Sequence, residues 1–257
     1  MKQFFRFAAA VVFTHSINAA EPAPPAISAE QLASRMDAAR LGNTAIRARL
    51  EVRSSAGAKR DLQLQIKERR TKNAIDIVYR VLWPNEHKNE AVILHQNAGE
   101  APSGSLVLLP NTVRALKPAQ MSDGLFDSDL AYQDAVEDFF AWERQAIVGS
   151  EVVDRVNCQI LESKPGKPGI SIYAKVRSWI DPQRLVPLRV EKYSADGELV
   201  RRIDTTRVAR DERHNPIAAN LVVHGPRKDS VTELDGVRVD QDVNLTDADF
   251  TVAGFSH

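Results

Sequence analysis

The sequence has a single cysteine in 257 residues, so no internal disulfide can form. Neither sign of charge is in excess, because 34 lysines and arginines face 34 aspartates and glutamates. A dedicated nucleic-acid binder usually carries a basic face, and this balance argues against one. After Phe13 no apolar run approaches the roughly 20 residues that a helix needs to cross a bilayer. The six histidines include no H-x-x-x-H or H-x-H pair, so no zinc signature is present. The chain also lacks a G-x-S-x-G nucleophile elbow and the D-x-D-x-D-G order of a calcium loop. The expectation is a non-enzymatic protein with no catalytic residues, no metal and no cofactor.

The N-terminus has its own pattern. Lys2 and Arg6 precede the short apolar run "FAAAVVF", and small residues follow at Ala19 and Ala20. This is the order of a secretory signal peptide, expected over residues 1–20. Pro-rich "EPAPPAIS" follows, which reads as an extended leader over residues 21–27. Residues 28–257 are then expected to form one domain, soluble in an exported compartment, with the periplasm fitting best. The lone Cys158 sits in strand-like "DRVNCQILES" and reads as a small buried apolar residue.

Ser28 reads as a helix N-cap, with Gln31 at the capping-box spacing. Leu32, Met36 and Leu41 recur at near-helical intervals up to Gly42, which predicts a first helix ending there. Strict alternation follows. Ile46, Ala48, Leu50 and Val52 share one strand face, as do Leu62, Leu64 and Ile66, and then Ile75, Ile77, Tyr79 and Val81. Such strands are antiparallel, with one face dry and the other wet. Similar segments continue to "SVTELDGVRVD", roughly a dozen strands in all by the alternation rule. The Asp196–Gly197 pair marks a hairpin turn. Between strands, "YQDAVEDFFAW" reads as a second short helix, and "LTDADFTV" as a final helical turn.

A sheet this wide presents more apolar surface than two short helices can cover, and exposed apolar area is unfavourable. It can close as a barrel, fold over as a sandwich, or curl around the helices. The curled arrangement leaves apolar surface over as a cavity for an apolar ligand, whereas the sandwich predicts a packed core. Periodicity shows which face is dry and does not select among the three.

Two stretches carry a resemblance. "LVLLPNTVRALKPAQMSDGLFDSDLAYQD" resembles the "YLP…R…R" strand and following "S…F…SDFSYED" segment of LolA-like outer-membrane lipoprotein-sorting proteins. "SWIDPQRLVPLRVEKYSADGELVRRID" is similar to their "VWVDPETYLPLRVEYYDKDGELLK" hairpin. The resemblance runs from about Ser28 to Phe250. Arg114 matches an arginine of that pattern, whereas Leu109 and Ala115 stand where an aromatic and a second arginine are frequent. The resemblance implies a mainly β (α+β) fold: one strongly curved, incompletely closed antiparallel β-barrel with a small helical lid. It also implies carriage of a lipid or lipoprotein acyl chain through the periplasm, between inner and outer membrane. The implied partners are an inner-membrane exporter of the resistance-nodulation-division (RND) type or a lipoprotein-releasing complex. Contact with the membrane surface would be transient, and the carrier would be a monomer. A periplasmic sensor of lipoproteins or envelope stress is the alternative.

Candidate ligand-binding residues follow from the dry faces and the lid. Leu32 and Met36 come from the first helix. Leu50, Leu64, Ile77, Tyr79, Leu108, Trp179 and Leu188 come from the strands, and Trp83 stands at a rim before Pro84. Phe126, Leu130, Tyr132, Phe139, Phe140 and Trp142 cluster in the lid segment, and Arg114 is the polar candidate. Asp123, Asp127, Asp129, Asp134, Glu137 and Asp138 are interleaved with those aromatics and read as a solvated lid edge, or as a docking face for a basic partner. "KERRTKN" reads as a solvated turn, with contact to anionic headgroups as the alternative.

Overall fold

The computed structural model describes residues 27–108, 112–226 and 229–255. The expected signal peptide, most of the expected leader and Leu109 therefore lie outside the described residues. Chain order begins with helix α1 (Ala29–Ala38), whose start follows the expected chemistry. The Ser28 side chain accepts from the Gln31 backbone at 3.2 Å, and the Gln31 side chain accepts from the Ser28 backbone at 3.1 Å. Two otherwise orphaned N–H groups are thereby paired. Ser28→Ala is expected to cost about 1 kcal/mol, read as a lower urea midpoint with an unchanged slope.

The helix ends at Ala38, three residues before Leu41. Leu41 is half-buried in the following turn, so it is not part of the helix face expected for it. Gly42, with φ +127°, already pairs with Arg70 in the sheet, and strand pairing takes over where the helix was expected to continue.

Thirteen strands follow among the described residues. They are β1 (Gly42–Ser54), β2 (Lys59–Arg70), β3 (Ala74–Trp83), β4 (Ala91–Asn97), β5 (Ser103–Leu108) and β6 (Thr112–Ala115). After the lid segment come β7 (Arg144–Val153), β8 (Val156–Lys164), β9 (Lys175–Asp181) and β10 (Val186–Tyr193). The last three are β11 (Leu199–Arg210), β12 (Pro216–His224) and β13 (Ser230–Gln241). The sheet order is β6-β5-β4-β3-β2-β1-β13-β12-β11-β10-β9-β8-β7, antiparallel throughout. Two meanders are thus joined where the first strand pairs with the last. Ile46↔Ile66, Ala48↔Leu64 and Leu50↔Leu62 align their apolar sets on one face, which fixes the register. Register shifts in β1, β2, β10 and β11 add local twist, so the sheet curls.

The order has one consequence for the site. β6 and β7 are consecutive in the chain yet occupy opposite edges of an unclosed sheet. Residues 116–143 must therefore travel from one edge to the other, and they do so across the dry face. This crossing carries helix α2 (Tyr132–Val136) and several short 3₁₀ turns, including Phe139–Ala141. The second helix read from the sequence is consequently broken in two, because Glu137 is extended (φ −68°, ψ 136°). The helical turn expected in "LTDADFTV" lies at Asp247–Phe250, and a further 3₁₀ turn follows at Val252–Phe255. Gly124 permits the tightest point of the crossing. A Cβ there would stand 2.1 Å from the Ser128 carbonyl oxygen.

The dry face is covered unequally. Leu50, Leu62, Leu64, Ile75, Ile77, Val81 and Leu94 of β1–β4 pack solidly against Met121, Leu125, Leu130, Tyr132 and Val136 of the crossing. A second cluster sets Leu32, Ala33 and Met36 of α1 on Phe139, Phe140 and Trp142, with Leu161, Val176, Ile180 and Val190 beneath. A third, smaller cluster holds Val153, the fully buried Cys158, Trp179, Val186 and Leu188. Trp179 faces away from its strand neighbours Val176 and Ile180, as alternation along β9 requires.

Candidate functional site

The gap in this covering lies over β10–β12. There a cavity of about 310 Å³ opens between the end of α1, the Phe139–Phe140 turn and the sheet. Its size is at the lower end of ordinary small-molecule pockets, about 300–1,000 Å³. Met36, Phe139, Phe140, Val190, Ile203, Ile217 and Leu221 supply most of an apolar wall. A second recess of about 400 Å³ lies near Trp142, with a mixed lining that includes Lys72, Asn73, Glu100 and Lys167 as well as Ile75, Ala141 and Ile170.

The floor of the apolar cavity is charged. Asp134 and Glu137 reach it from the crossing segment, and Lys192 from β10, with side chains 0%, 0% and 1% exposed. Lys192 Nζ sits 2.8 Å from Asp134 Oδ1, and Arg201 Nη1 is 2.9 Å from Asp134 Oδ2. The Tyr173 hydroxyl donates to Asp134 at 2.7 Å and accepts from Arg201 at 2.6 Å. Burial alone would push the Asp134 carboxyl up, but Lys192 and Arg201 outweigh it and hold it below the usual range. Burial dominates at Glu137 and raises it. Lys192 is also enclosed by the faces of Phe139 and Tyr173, at 5.3 and 4.9 Å.

A second charged cluster ties α1 to the crossing. Asp138 takes Arg40 at 3.3 Å and Arg70 at 2.9 Å, and Arg70 also donates to Glu68 at 2.8 Å. Burial, and then the neighbouring Asp138 carboxylate, push Asp37 up to about 6. An acid whose value is raised on folding contributes stability below its ordinary value near 3.8 and loses that contribution as pH rises through about 6. Asp37→Asn should therefore flatten the decline of the melting temperature between those two values. At neutral pH it should add roughly 1 kcal/mol, a figure already reduced for solvent screening at this half-buried site.

Four of the six lid acids are turned inward, which corrects their reading as a solvated edge or docking face. Asp129 accepts from Ser230 and Thr232 at 2.6 and 2.8 Å, Asp134 and Glu137 line the cavity floor, and Asp138 holds the two arginines. The crossing lies on the sheet, so its acids meet inward-pointing basic residues. The solvated-turn reading of "KERRTKN" is corrected likewise. Lys67 pairs with Asp249, Arg69 with Asp76, and Arg70 is buried within β2, leaving Thr71–Asn73 as the turn.

Of the residues singled out from the sequence, Met36, Phe139 and Phe140 meet at the apolar cavity, and Trp142 borders the second recess. Leu32 packs in the core beneath α1. Leu50, Leu64, Ile77, Tyr79, Leu130 and Tyr132 are buried in the first cluster, with Leu108 and Phe126 packed at its edge. Trp179 and Leu188 belong to the third cluster and do not line the cavity. Trp83 is 48% exposed at the end of β3, and Arg114 is exposed on edge strand β6. Lys192 and Arg201 were missed, although a signal existed. Val190 and Lys192 alternate as buried residues after the register shift in β10, as do Arg201 and Thr205 with half-buried Ile203 between them. Among the described residues no group of three or more His, Cys, Asp or Glu is placed to hold a metal ion.

A curled, unclosed antiparallel sheet, with helices and a crossing segment over its dry face, is a LolA-like fold. Solved structures bear this out. A DUF1329 family protein from Desulfovibrio piger ATCC 29098 superposes with a TM-score of 0.81 at 20% identity, covering 89% of this chain and 98% of that one. A domain assigned to outer membrane lipoprotein sorting, from Vibrio parahaemolyticus, gives 0.78 at 17% identity, with 88% and 97% covered. A LolA superfamily protein from Nitrosomonas europaea gives 0.70 at 16% identity, with 88% and 98% covered. No curated protein matches the chain in sequence. The sequence model of a family described as "uncharacterized protein" matches residues 77–256, and the chain belongs to that family.

Proposed function

We propose that this protein is a periplasmic carrier that holds an acyl chain of a lipid or lipoprotein in the cavity over β10–β12 and moves it between the inner and outer membranes. The observation that carries the reading is the apolar cavity itself, placed where the covering of the dry face is incomplete. Burying an acyl chain there would contribute about 0.8 kcal/mol per methylene. Helix α1 and the Phe139–Ala141 turn form its upper wall and together act as the lid. The fold shared with the Vibrio lipoprotein-sorting domain supports the same reading. An RND-type exporter or a lipoprotein-releasing complex would supply the cargo, and the N-terminal signal would deliver the chain to the periplasm.

The test uses delipidated protein and the apolar fluorophore N-phenylnaphthylamine. Micromolar binding is expected. Ile217→Trp, which fills the cavity from β12, should weaken it at least about tenfold, a loss of about 1.4 kcal/mol, without lowering the melting temperature. Equal binding by both proteins, or none by either, would end the carrier reading.

A further inference from the structure

One carboxylate oxygen in the floor accepts no hydrogen bond. Glu137 Oε1 accepts from Gln133 Nε2 at 2.6 Å and from the Ser171 hydroxyl. Glu137 Oε2 is buried and accepts no hydrogen bond. Lys192 Nζ lies 3.5 Å from it, an ion-pair contact at the outer limit of hydrogen bonding, and is already committed to Asp134 and two aromatic faces. A buried acceptor left without a donor is costly, so such groups mark places where a further donor belongs. Glu137 lines the cavity, and the nearby walls at Met36, Phe140 and Val190 offer none.

We infer that the cavity selects amphiphiles whose polar end is neutral and donates a hydrogen bond, such as a hydroxyl or an amide N–H, with Glu137 Oε2 as the acceptor. This rests on the carrier reading only in taking the cavity as the ligand site. Charge balance gives the selectivity. Asp134 and Glu137 are matched by Lys192 and Arg201, so the floor as a whole offers no net attraction to an ion. A carboxylate or phosphate head would add a second anion beside Glu137, in a setting where like charges are poorly screened. Arg40 also borders the cavity, but it is engaged by Asp138 and lies over the Phe140 ring at 5.8 Å. An ester head is neutral but has no proton to give, so it would leave Oε2 as it stands.

The experiment is competition against bound N-phenylnaphthylamine by three ligands of equal chain length, delivered from cyclodextrin: lauryl alcohol, methyl laurate and, at mildly alkaline pH, laurate. Wild-type protein should bind lauryl alcohol at least about tenfold more tightly than either of the others. Glu137→Gln retains Oε1 as acceptor and replaces Oε2 with an N–H donor, so the gap between alcohol and ester should close to less than about threefold, and laurate should gain. The wild-type ranking decides the matter even if that variant does not fold. Equal affinities for alcohol and ester, or tightest binding of laurate, overturn the inference and leave the carrier reading standing. Failure of the fluorophore to bind removes both.

Discussion

Replacing Asp134 with alanine is expected to destabilise the protein by about 3–5 kcal/mol, the range seen when one partner of a buried ion pair is removed. The side chain is fully buried and serves Lys192, Arg201 and Tyr173 together, and its Oδ2 also accepts from the Ala131 backbone at 2.7 Å, which caps α2. Truncation leaves the buried Arg201 without its carboxylate and Lys192 with only Glu137 at 3.5 Å, and it frees a helix terminus. Urea denaturation of the full chain would measure the loss. The double variant Asp134→Ala/Lys192→Met should lose less than the two single variants combined, because it removes one of the stranded charges along with its partner. A loss below about 1 kcal/mol in the single variant would show that the network does not hold the crossing to the sheet. The same group contributes to the loss of stability in acid. Its folded value is lowered, so its contribution is present above the ordinary aspartate value and disappears as pH falls through the folded one. This is opposite in sign to Asp37, and the two act in different pH ranges.

What could be read from the residues, and what could not, follows from how far each signal reaches. The capping box at Ser28 and Gln31 is local and stands as read. The alternating sets in β1, β2 and β3 are also local, and Leu62, Leu64, Ile75, Ile77 and Val81 are all buried as their spacing demands. The pairing of β1 with β13 joins residues almost 200 positions apart, and no short window contains it. That pairing places β6 and β7 at opposite edges and so forces residues 116–143 across the dry face. The acids of the crossing were misread for this reason. Local composition makes Asp134 and Glu137 resemble a solvated edge, and only the strand order brings them to Lys192 and Arg201. The volume of the crossing was underestimated for the same reason. Met121, Leu125, Leu130, Tyr132 and Val136 fill the β1–β4 half, so the cavity is confined to β10–β12. A lysine on the apolar face of a strand, as at Lys192, is the feature that could have pointed to the charged floor.

Phe140→Ala is expected to have an effect comparable in size to that of Asp134→Ala, but one that a ligand can partly reverse. The ring is 4% exposed, its centroid lies 4.5 Å from that of Phe139, and it separates the cavity from the packing beneath α1. Truncating a buried phenylalanine costs about 3–5 kcal/mol, through lost apolar burial and the void left behind. Here the void joins an existing cavity, so an acyl chain can occupy it and restore part of the lost contact. A ligand stabilises the folded state according to its concentration relative to its dissociation constant. At one fixed lauryl alcohol concentration, the rise in melting temperature should therefore be larger for Phe140→Ala than for wild type, although the unliganded variant melts lower. Two melting curves per protein, with and without the alcohol, measure both quantities. If the variant loses stability but gains no more from the alcohol than wild type does, then Phe140 belongs to the core under α1 alone, and the cavity wall must be assigned to other residues. If both effects occur, the lid and the ligand compete for the same apolar contacts, and docking of the lid is weak enough for cargo to displace it.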